Sequence, residues 1–143
     1  MKISRTVETT AAPAAVFAYL SDFSNTTEWD PGTIETTRVS GDGGVGTVYK
    51  NVSEFNGNKS ELTYETVELV PERKIALKGE GKAVHADDLM ELSPTGNGGT
   101  RVDYTADIRF KGALKLAEPF LGKAFKKLGD EAEEGLREAL AKL

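Results

Sequence analysis

A carboxyl group among apolar side chains is the feature of this sequence with the clearest chemical potential. Asp88 shares one face of a predicted strand with Met90 and Leu92, because alternate residues of a strand point to the same side of a sheet. Partial removal from water would raise the pKa of the Asp88 carboxyl group toward the range that suits a general base. The alternative is a structural aspartate that accepts hydrogen bonds near the rim of the sheet.

Tyrosines on the same predicted face would complete such a site. Tyr104, Tyr64 and Tyr49 each follow the inward alternation of their strands. A phenolic hydroxyl can donate a hydrogen bond to a ketone or enolate oxygen, which makes Asp88 and Tyr104 the candidate catalytic residues. Alternatively, these tyrosines line a pocket with an apolar ring and a polar tip.

The single histidine, His85, lies out of phase with Asp88 and is expected on the outer face or at the rim of the sheet. Asp87 and Asp88 are adjacent and point to opposite faces of a regular strand, so they cannot hold one metal ion together. The sequence contains no cysteine, and a transition metal needs three or four converging ligands. We therefore expect neither a metal nor another cofactor.

Strand and helix patterns follow one another along the chain in a way that predicts an α+β fold. The first strand covers residues 2–10, a short helix starts at Pro13, and a second one lies between Ser24 and Pro31. The other predicted strands cover residues 33–39, 46–55, 59–70, 73–81, 84–92 and 102–110. Asn56-Gly57 is a strong signal for a tight hairpin, and the other strand connections are short enough for an antiparallel meander.

The last third of the chain predicts a long amphipathic helix after Gly112. Its apolar arc consists of Leu114, Leu121, Phe125, Leu128, Ala132, Leu136, Ala139, Leu140 and Leu143. Pro119 either begins the helix proper or kinks it. A curved sheet with one buried face and a helix of this kind together predict a pocket between them.

The alternation of the strands and the helical arc also predict which residues line this pocket. They are Trp29, Tyr49, Tyr64, Leu77, Met90, Tyr104, Ile108, Leu121 and Phe125. Trp29 is either a lid that stacks on a ligand or the plug of a small core. Gly79 and Gly81 either leave room for a ligand or curve the sheet. The inward register of residues 46–55 and 59–70 is ambiguous, and we favour the interpretation that places Tyr49 inside.

Composition limits the classes of function. A chain of 143 residues with 38% hydrophobic and 29% charged residues predicts one globular domain over residues 1–143. The net charge of -5 argues against nucleic-acid binding, which needs a concentrated basic face. Acidic residues directly after Lys123, Lys126 and Lys127 indicate a solvated helix face rather than a patch for membranes or polyanions.

Cellular location and assembly are predicted from what the sequence lacks. No apolar run is long enough for a membrane span, and strand-like alternation begins where a signal peptide would have its apolar region. We therefore expect a cytoplasmic protein without stable membrane insertion. An exposed edge strand would allow a weak homodimer, although nothing in the sequence demands more than a monomer.

Several short segments, taken in their order and spacing, carry a resemblance to a known family. They are Ile3–Val7, Ala12-Pro13 with Val16-Phe17, Leu20–Asp22, Glu28–Gly32, Glu61–Glu65, Pro71–Arg73 and Gly99–Val102. Together they resemble the START-like, Bet v 1-like superfamily, specifically its bacterial polyketide cyclase/dehydrase-like branch, the SRPBCC proteins. The resemblance implies a helix-grip fold, in which a curved antiparallel sheet of about seven strands wraps a long C-terminal helix and two short helices follow strand 1.

The resemblance also implies two functions, which the sequence leaves open. Most members bind a small hydrophobic or amphipathic molecule, such as a lipid, in the cavity between sheet and helix, and the apolar lining predicted here favours this carrier or sensor role. The alternative is a cyclase or dehydratase. In that case Asp88, with His85 as the less favoured alternative, would remove a proton next to a ketone while Tyr104 or Tyr64 stabilises the enolate oxygen, without any cofactor.

Overall fold

The computed structural model describes residues 1–143 and contains one seven-stranded antiparallel sheet with the strand order β1-β7-β6-β5-β4-β3-β2. The strands are β1 (Lys2–Thr9), β2 (Thr33–Ser40), β3 (Val48–Phe55), β4 (Asn58–Val70), β5 (Lys74–Gly81), β6 (Val84–Pro94) and β7 (Thr100–Phe110). The α-helices are α1 (Pro13–Ser21), α2 (Thr26–Trp29) and α3 (Gly122–Leu140), and 3-10 helices cover Phe23–Asn25 and Gly112–Phe120. The predicted α+β helix-grip fold is confirmed.

The inner face of the sheet follows the predicted alternation. Val102, Tyr104 and Ala106 of β7 are buried, as are Ala86 and Met90 of β6. On the two central strands, Tyr49 and Asn51 of β3 and Leu62, Tyr64 and Thr66 of β4 are buried. The favoured register of these strands is therefore the one observed, and it places the tyrosines on the concave side.

Strong curvature closes one end of the sheet around α3. Four steps separate β3 from β7, which in a flat sheet would span about 19 Å. Nevertheless, the ring centroids of Phe55, at the end of β3, and Phe110, at the end of β7, lie 4.7 and 6.0 Å from that of Phe125 in the first turns of α3. We call these three residues the aromatic gate, because their rings pack together where the two sides of the sheet meet α3.

Helix α3 packs the predicted apolar arc against the core from Phe125 to Leu140, with Leu128 partly buried. The prediction that this helix starts directly after Gly112 is wrong. Gly112–Phe120 is a 3-10 helix, and Leu114 is 47% exposed rather than packed on the core. Pro119 lacks a backbone N–H and cannot continue an α-helix from the preceding turn, so the regular helix begins only after it. Leu143 is also exposed, because α3 ends at Leu140.

Helix α2 and the 3-10 helix before it are attached to the edge of the sheet by buried polar side chains. Thr26 at the start of α2 and Thr36 of β2 share a hydrogen bond of 2.8 Å between their hydroxyls. Asn51 of β3 donates to the same Thr36 hydroxyl over 2.9 Å, and Thr26 donates to the carbonyl of Phe23 over 2.8 Å. Because these groups satisfy one another, α2 is held at a fixed height above the concave face. None of the helices is long and apolar enough to cross a membrane.

Candidate functional site

Asp88 lies near the middle of the concave face, with Leu77 of β5 and Ala106 of β7 as its direct neighbours in register. Ala86 and Met90, the inward residues on either side of it, are buried, whereas Asp88 keeps part of its surface accessible. No protein group donates a hydrogen bond to the Asp88 carboxyl. The Asp88 carboxyl group is therefore partly accessible and lacks the protein partner that a polar group in such an apolar face normally has.

Two tyrosine side chains lie near this carboxyl. Tyr104 pairs with Met90, which makes it a diagonal neighbour of Asp88 across β6 and β7. Tyr64 reaches the same region from β4, since its ring lies over Gly79 of β5. Burial, followed by the negative charges of Asp88 and Asp30, raises the pKa of both tyrosines well above the ordinary value. Both hydroxyls therefore stay protonated and able to donate hydrogen bonds.

Gly79 and Gly81 provide no room for a ligand. A Cβ atom at Gly79 would lie 2.6 Å from the ring of Tyr64, and one at Gly81 would lie 2.8 Å from the backbone oxygen of Glu61. The space above Gly79 is thus filled by the protein's own aromatic ring. The missing side chain at Gly79 is what allows Tyr64 to lean toward Asp88.

Trp29 and Asp30, at the end of α2, cover the site from above. Trp29 is 3% exposed, and its ring meets that of Tyr104 edge-on with a centroid distance of 5.4 Å, which favours the plug over the mobile lid. The next residue, Asp30, accepts hydrogen bonds of 3.0 Å from the backbone N–H of Gly32 and from the hydroxyl of Thr33. These two bonds fix its carboxylate near the site.

Asp30 was not among the residues predicted from the sequence. It follows a short helix, where no strand alternation indicates the direction of a side chain. The available signal was its position between Trp29 and the Pro31-Gly32 turn, inside one of the segments that carry the family resemblance. An acidic residue placed directly after the only tryptophan is the feature that would have identified it.

The two carboxyl groups are tuned in different ways. Burial, together with the negative charges of Asp30 and Asp87, raises the pKa of Asp88 to about 8. Burial also raises the pKa of Asp30, but the hydrogen bonds from Gly32 and Thr33 favour its ionised form and oppose the shift. With a pKa of about 8, the Asp88 carboxyl group is mostly protonated at neutral pH, and it shares this region with the Asp30 carboxyl group and two phenols.

The other predicted pocket residues lie around this group at different distances. Leu77 and Met90 are buried beside Asp88, Ile108 and Leu121 are partly buried against the core, and Phe125 belongs to the aromatic gate. Tyr49 is separate from them. Its ring lies 5.8 Å from that of Phe23, and its hydroxyl lies near Asp22 and Arg38 rather than Asp88.

His85 lies on the outer side of the sheet, as its phase predicts. Its ring bonds to Glu80 and, over 3.1 Å, to Asp87. Arg109 of β7 donates to the same Asp87 carboxylate over 2.7 Å. This charged cluster spans β5 to β7 on the convex face, so His85 does not reach the interior group around Asp88.

A cleft lies at the rim of the sheet, next to the charged cluster of the convex face. It has a volume of about 540 Å³ and is lined by Glu80, His85, Arg109, Phe110, Lys111, Gly112 and Lys115. Phe110 belongs both to this rim cleft and to the aromatic gate. Phe110 thus connects the lining of the rim cleft with the ring of Phe125.

The arrangement of sheet, long helix and interior polar group agrees with one protein family over almost the whole chain. A family model described as polyketide cyclase / dehydrase and lipid transport matches residues 1–141. The chain belongs to this family. No curated protein sequence gives a significant match to the chain.

Solved structures of low sequence identity share the fold of this family member. The ZhuI aromatase/cyclase from Streptomyces sp. R1128 superposes with a TM-score of 0.81 at 16% identity, covering 98% of this chain and 93% of that one. The protein TTHA0849 from Thermus thermophilus gives 0.81 at 19% identity, covering 98% and 97%. A START superfamily protein from Mycobacterium smegmatis gives 0.80 at 15%, covering 97% and 96%. At such identities these likenesses show a common fold.

Proposed function

We propose that the protein binds a small hydrophobic or amphipathic molecule between the concave face of the sheet and α3, with a polar group of that molecule against Asp88. The observation that carries this proposal is the Asp88 carboxyl group, which lies deep in an apolar face, keeps accessible surface and has no protein partner. Buried polar groups are normally hydrogen-bonded, so a group left open in the interior is available to a ligand.

The surroundings define the chemistry of such a ligand. Leu77, Met90 and Ile108 offer apolar contacts to its body. Asp88 in its neutral form donates one hydrogen bond, and Tyr64 and Tyr104 bring two further donors to the same region. Three neighbouring donors fit an acceptor such as a carbonyl oxygen. The ligand class is therefore an apolar molecule that carries a ketone, ester or acid carbonyl.

Ligand capture tests this binding role directly. Protein exposed to a cell lysate and repurified is expected to carry one small molecule per chain in native mass spectrometry and to release it on denaturation. Asp88→Asn keeps an N–H donor and is expected to retain the molecule within about threefold of wild-type affinity. Asp88→Leu removes one of the three donors and is expected to weaken binding by roughly tenfold.

The matched control is Glu35→Gln, which removes a carboxylate from the exposed strand β2 and is expected to change nothing. A wild-type protein that carries no molecule would contradict the binding role. Retention by Asp88→Leu at wild-type affinity would contradict the assignment of the polar contact to Asp88.

A second candidate function, dehydration of a β-hydroxy ketone, is favoured by one specific observation. The pKa of Asp88 is raised to about 8, which suits a group that takes up and returns a proton near neutral pH. In this reaction the Asp88 carboxylate removes a proton from the carbon next to the ketone, and Tyr104 donates a hydrogen bond to the enolate oxygen. The enolate then expels the β-hydroxyl group, which leaves as water with the proton from Asp88.

The pH dependence of turnover tests this second candidate. With a β-hydroxy ketone that bears a phenyl group, the rate of enone formation is expected to rise through an apparent pKa near 8, as Asp88 becomes a carboxylate. Asp88→Asn is expected to lose about a hundredfold or more in rate while it retains binding. A pH–rate profile that lacks this ionisation, or a variant as active as the wild type, would exclude the reaction and leave the binding role unaffected.

A further inference from the structure

The 3-10 helix Gly112–Phe120 exposes large apolar side chains although it lies at the rim of the folded core. Leu116 is 78% and Phe120 87% exposed, and none of the nine residues of this helix is buried. Isolated apolar residues on a surface are ordinary, whereas several on one short element form a patch that needs an explanation.

The orientation of this 3-10 helix is the reverse of that of a normal surface helix. With three residues per turn, it has three ridges: Gly112, Lys115 and Glu118; Ala113, Leu116 and Pro119; and Leu114, Ala117 and Phe120. On the polar ridge, Glu118 turns toward the protein and accepts a hydrogen bond of 3.3 Å from the backbone N–H of Phe110, whereas Lys115 is exposed at the rim cleft. Leu114, Leu116 and Phe120 on the two apolar ridges are exposed as well, where a surface helix normally places its polar side.

Positive charge surrounds this patch. Residues 111–127 contain five lysines and a single acidic residue, Glu118, in a chain whose net charge is -5. Lys115 and Lys123 take part in no ion pair, and Lys111 pairs with Glu80 of β5 over 2.7 Å. Lys126 and Lys127 project into solvent and pair only with acidic residues one helical turn further on. The sequence predicts a solvated face for the lysines of α3. The structure adds that exposed leucine and phenylalanine side chains belong to the same segment, which the sequence pattern does not show.

We propose that residues 111–127, which we call the docking tip, bind reversibly to the surface of an anionic lipid bilayer. Leu116 and Phe120 would enter the boundary between headgroups and acyl chains, and the lysines would contact lipid phosphates. Charge complementarity selects this partner, because the cationic tip belongs to a protein that is otherwise strongly acidic. Docking in this way turns the rim cleft and Phe110 of the aromatic gate toward the bilayer, and it does not depend on which ligand the interior takes.

Vesicle flotation tests the docking tip. The wild-type protein is expected to float with phosphatidylcholine vesicles that contain about one third phosphatidylglycerol, and to float far less with phosphatidylcholine alone. Leu116→Ser combined with Phe120→Ser is expected to lower binding at least about tenfold. The matched control is Val39→Ser with Val45→Ser, two residues that are each 64% exposed but lie on β2 and the loop after it. This control is expected to bind like the wild type.

A charge variant distinguishes the lipid contact from nonspecific stickiness. Lys115→Gln with Lys123→Gln is expected to abolish the preference for anionic vesicles and to flatten the dependence on salt, and it remains informative if the serine variant fails to fold. Wild-type protein that binds neither kind of vesicle would overturn the proposal. Unchanged binding of both variants would also overturn it. So would a dimer that light scattering detects in vesicle-free solution and that disappears with Phe120→Ser, because the docking tip would then bind a second copy of the chain.

Discussion

Replacement of Asp88 with asparagine is expected to stabilise the protein at alkaline pH and to leave it nearly unchanged in acid. Asparagine is neutral at every pH and has the shape of a protonated carboxyl group. The wild-type carboxyl has a pKa of about 8 in the folded protein against 3.8 for the free side chain. The folded state therefore binds this proton more tightly than the unfolded state, and its stability falls as pH rises from about 4 through 8.

The size of this effect follows from the same difference. Each unit of pKa difference corresponds to about 1.4 kcal/mol, and the partial access of Asp88 to solvent reduces the total. We expect Asp88→Asn to gain at least about 2 kcal/mol over wild type at pH above 8, measured by urea unfolding across a pH series. The titratable groups close enough to affect Asp88 are Asp30, directly after α2, Asp87 on the opposite face of the same strand, and the phenols of Tyr64 and Tyr104.

Subtracting the wild-type curve from the variant curve isolates the titration of Asp88 from that of other groups. Glu35→Gln, on the exposed face of β2, serves as the control and is expected to give a flat difference. A difference for Asp88→Asn that is equally flat between pH 4 and 9 would mean that the Asp88 carboxyl is well hydrated. The interior site would then offer no neutral acid at pH 7.

The largest loss of stability is expected from the addition of one methyl group at Gly135. A Cβ atom there would fall on the backbone carbonyl of Trp29, 2.9 Å from its carbon atom. Helix propensity alone would make Gly135→Ala favourable by about 1 kcal/mol, but a backbone group in a packed contact cannot move aside cheaply. We expect the cost of overpacking to exceed this gain and to lower the free energy of unfolding by about 3 kcal/mol or more. Urea unfolding is expected to show a lower midpoint with an unchanged slope.

The matched control for this prediction lies in the same helix. A Cβ atom at Gly122 would meet nothing within 4 Å, so Gly122→Ala is expected to be neutral or slightly stabilising. Equal stability of the two variants would show that α2 does not rest on α3 through Trp29. Because Trp29 also covers Tyr104, Gly135→Ala is further expected to weaken ligand capture, whereas Gly122→Ala is not.

Much of this fold could be predicted because strand alternation is a local property. Asp88 lies two residues from Met90 in β6, so the period of 2 places both on the inner face, and Tyr104 of β7 lies directly opposite Met90. The Asn56-Gly57 turn fixes the pairing of β3 with β4, so Tyr49 and Tyr64 lie opposite each other. The helical arc from Phe125 onward follows for the same reason, with period 3.6.

The features that escaped prediction depend on contacts between distant segments. Helical spacing places Leu114 on the apolar arc only if one helix runs through Pro119, and the 3-10 geometry breaks that phase. Asp30 lies beyond a helix end, where no period applies. The need for glycine at Gly135 comes from the carbonyl of Trp29, more than a hundred residues earlier in the chain, and no local pattern contains that information.

The contact between Trp29 and Tyr104 makes the protein its own optical reporter. The chain has a single tryptophan, and that indole lies edge-on to a tyrosine beside Asp88, shielded from solvent. All indole emission therefore originates within a few ångströms of the interior site. A carbonyl quencher that enters the site, a charge that forms on Asp88, or a shift of α2 would each change the intensity or wavelength of one signal, so occupancy can be titrated without any label.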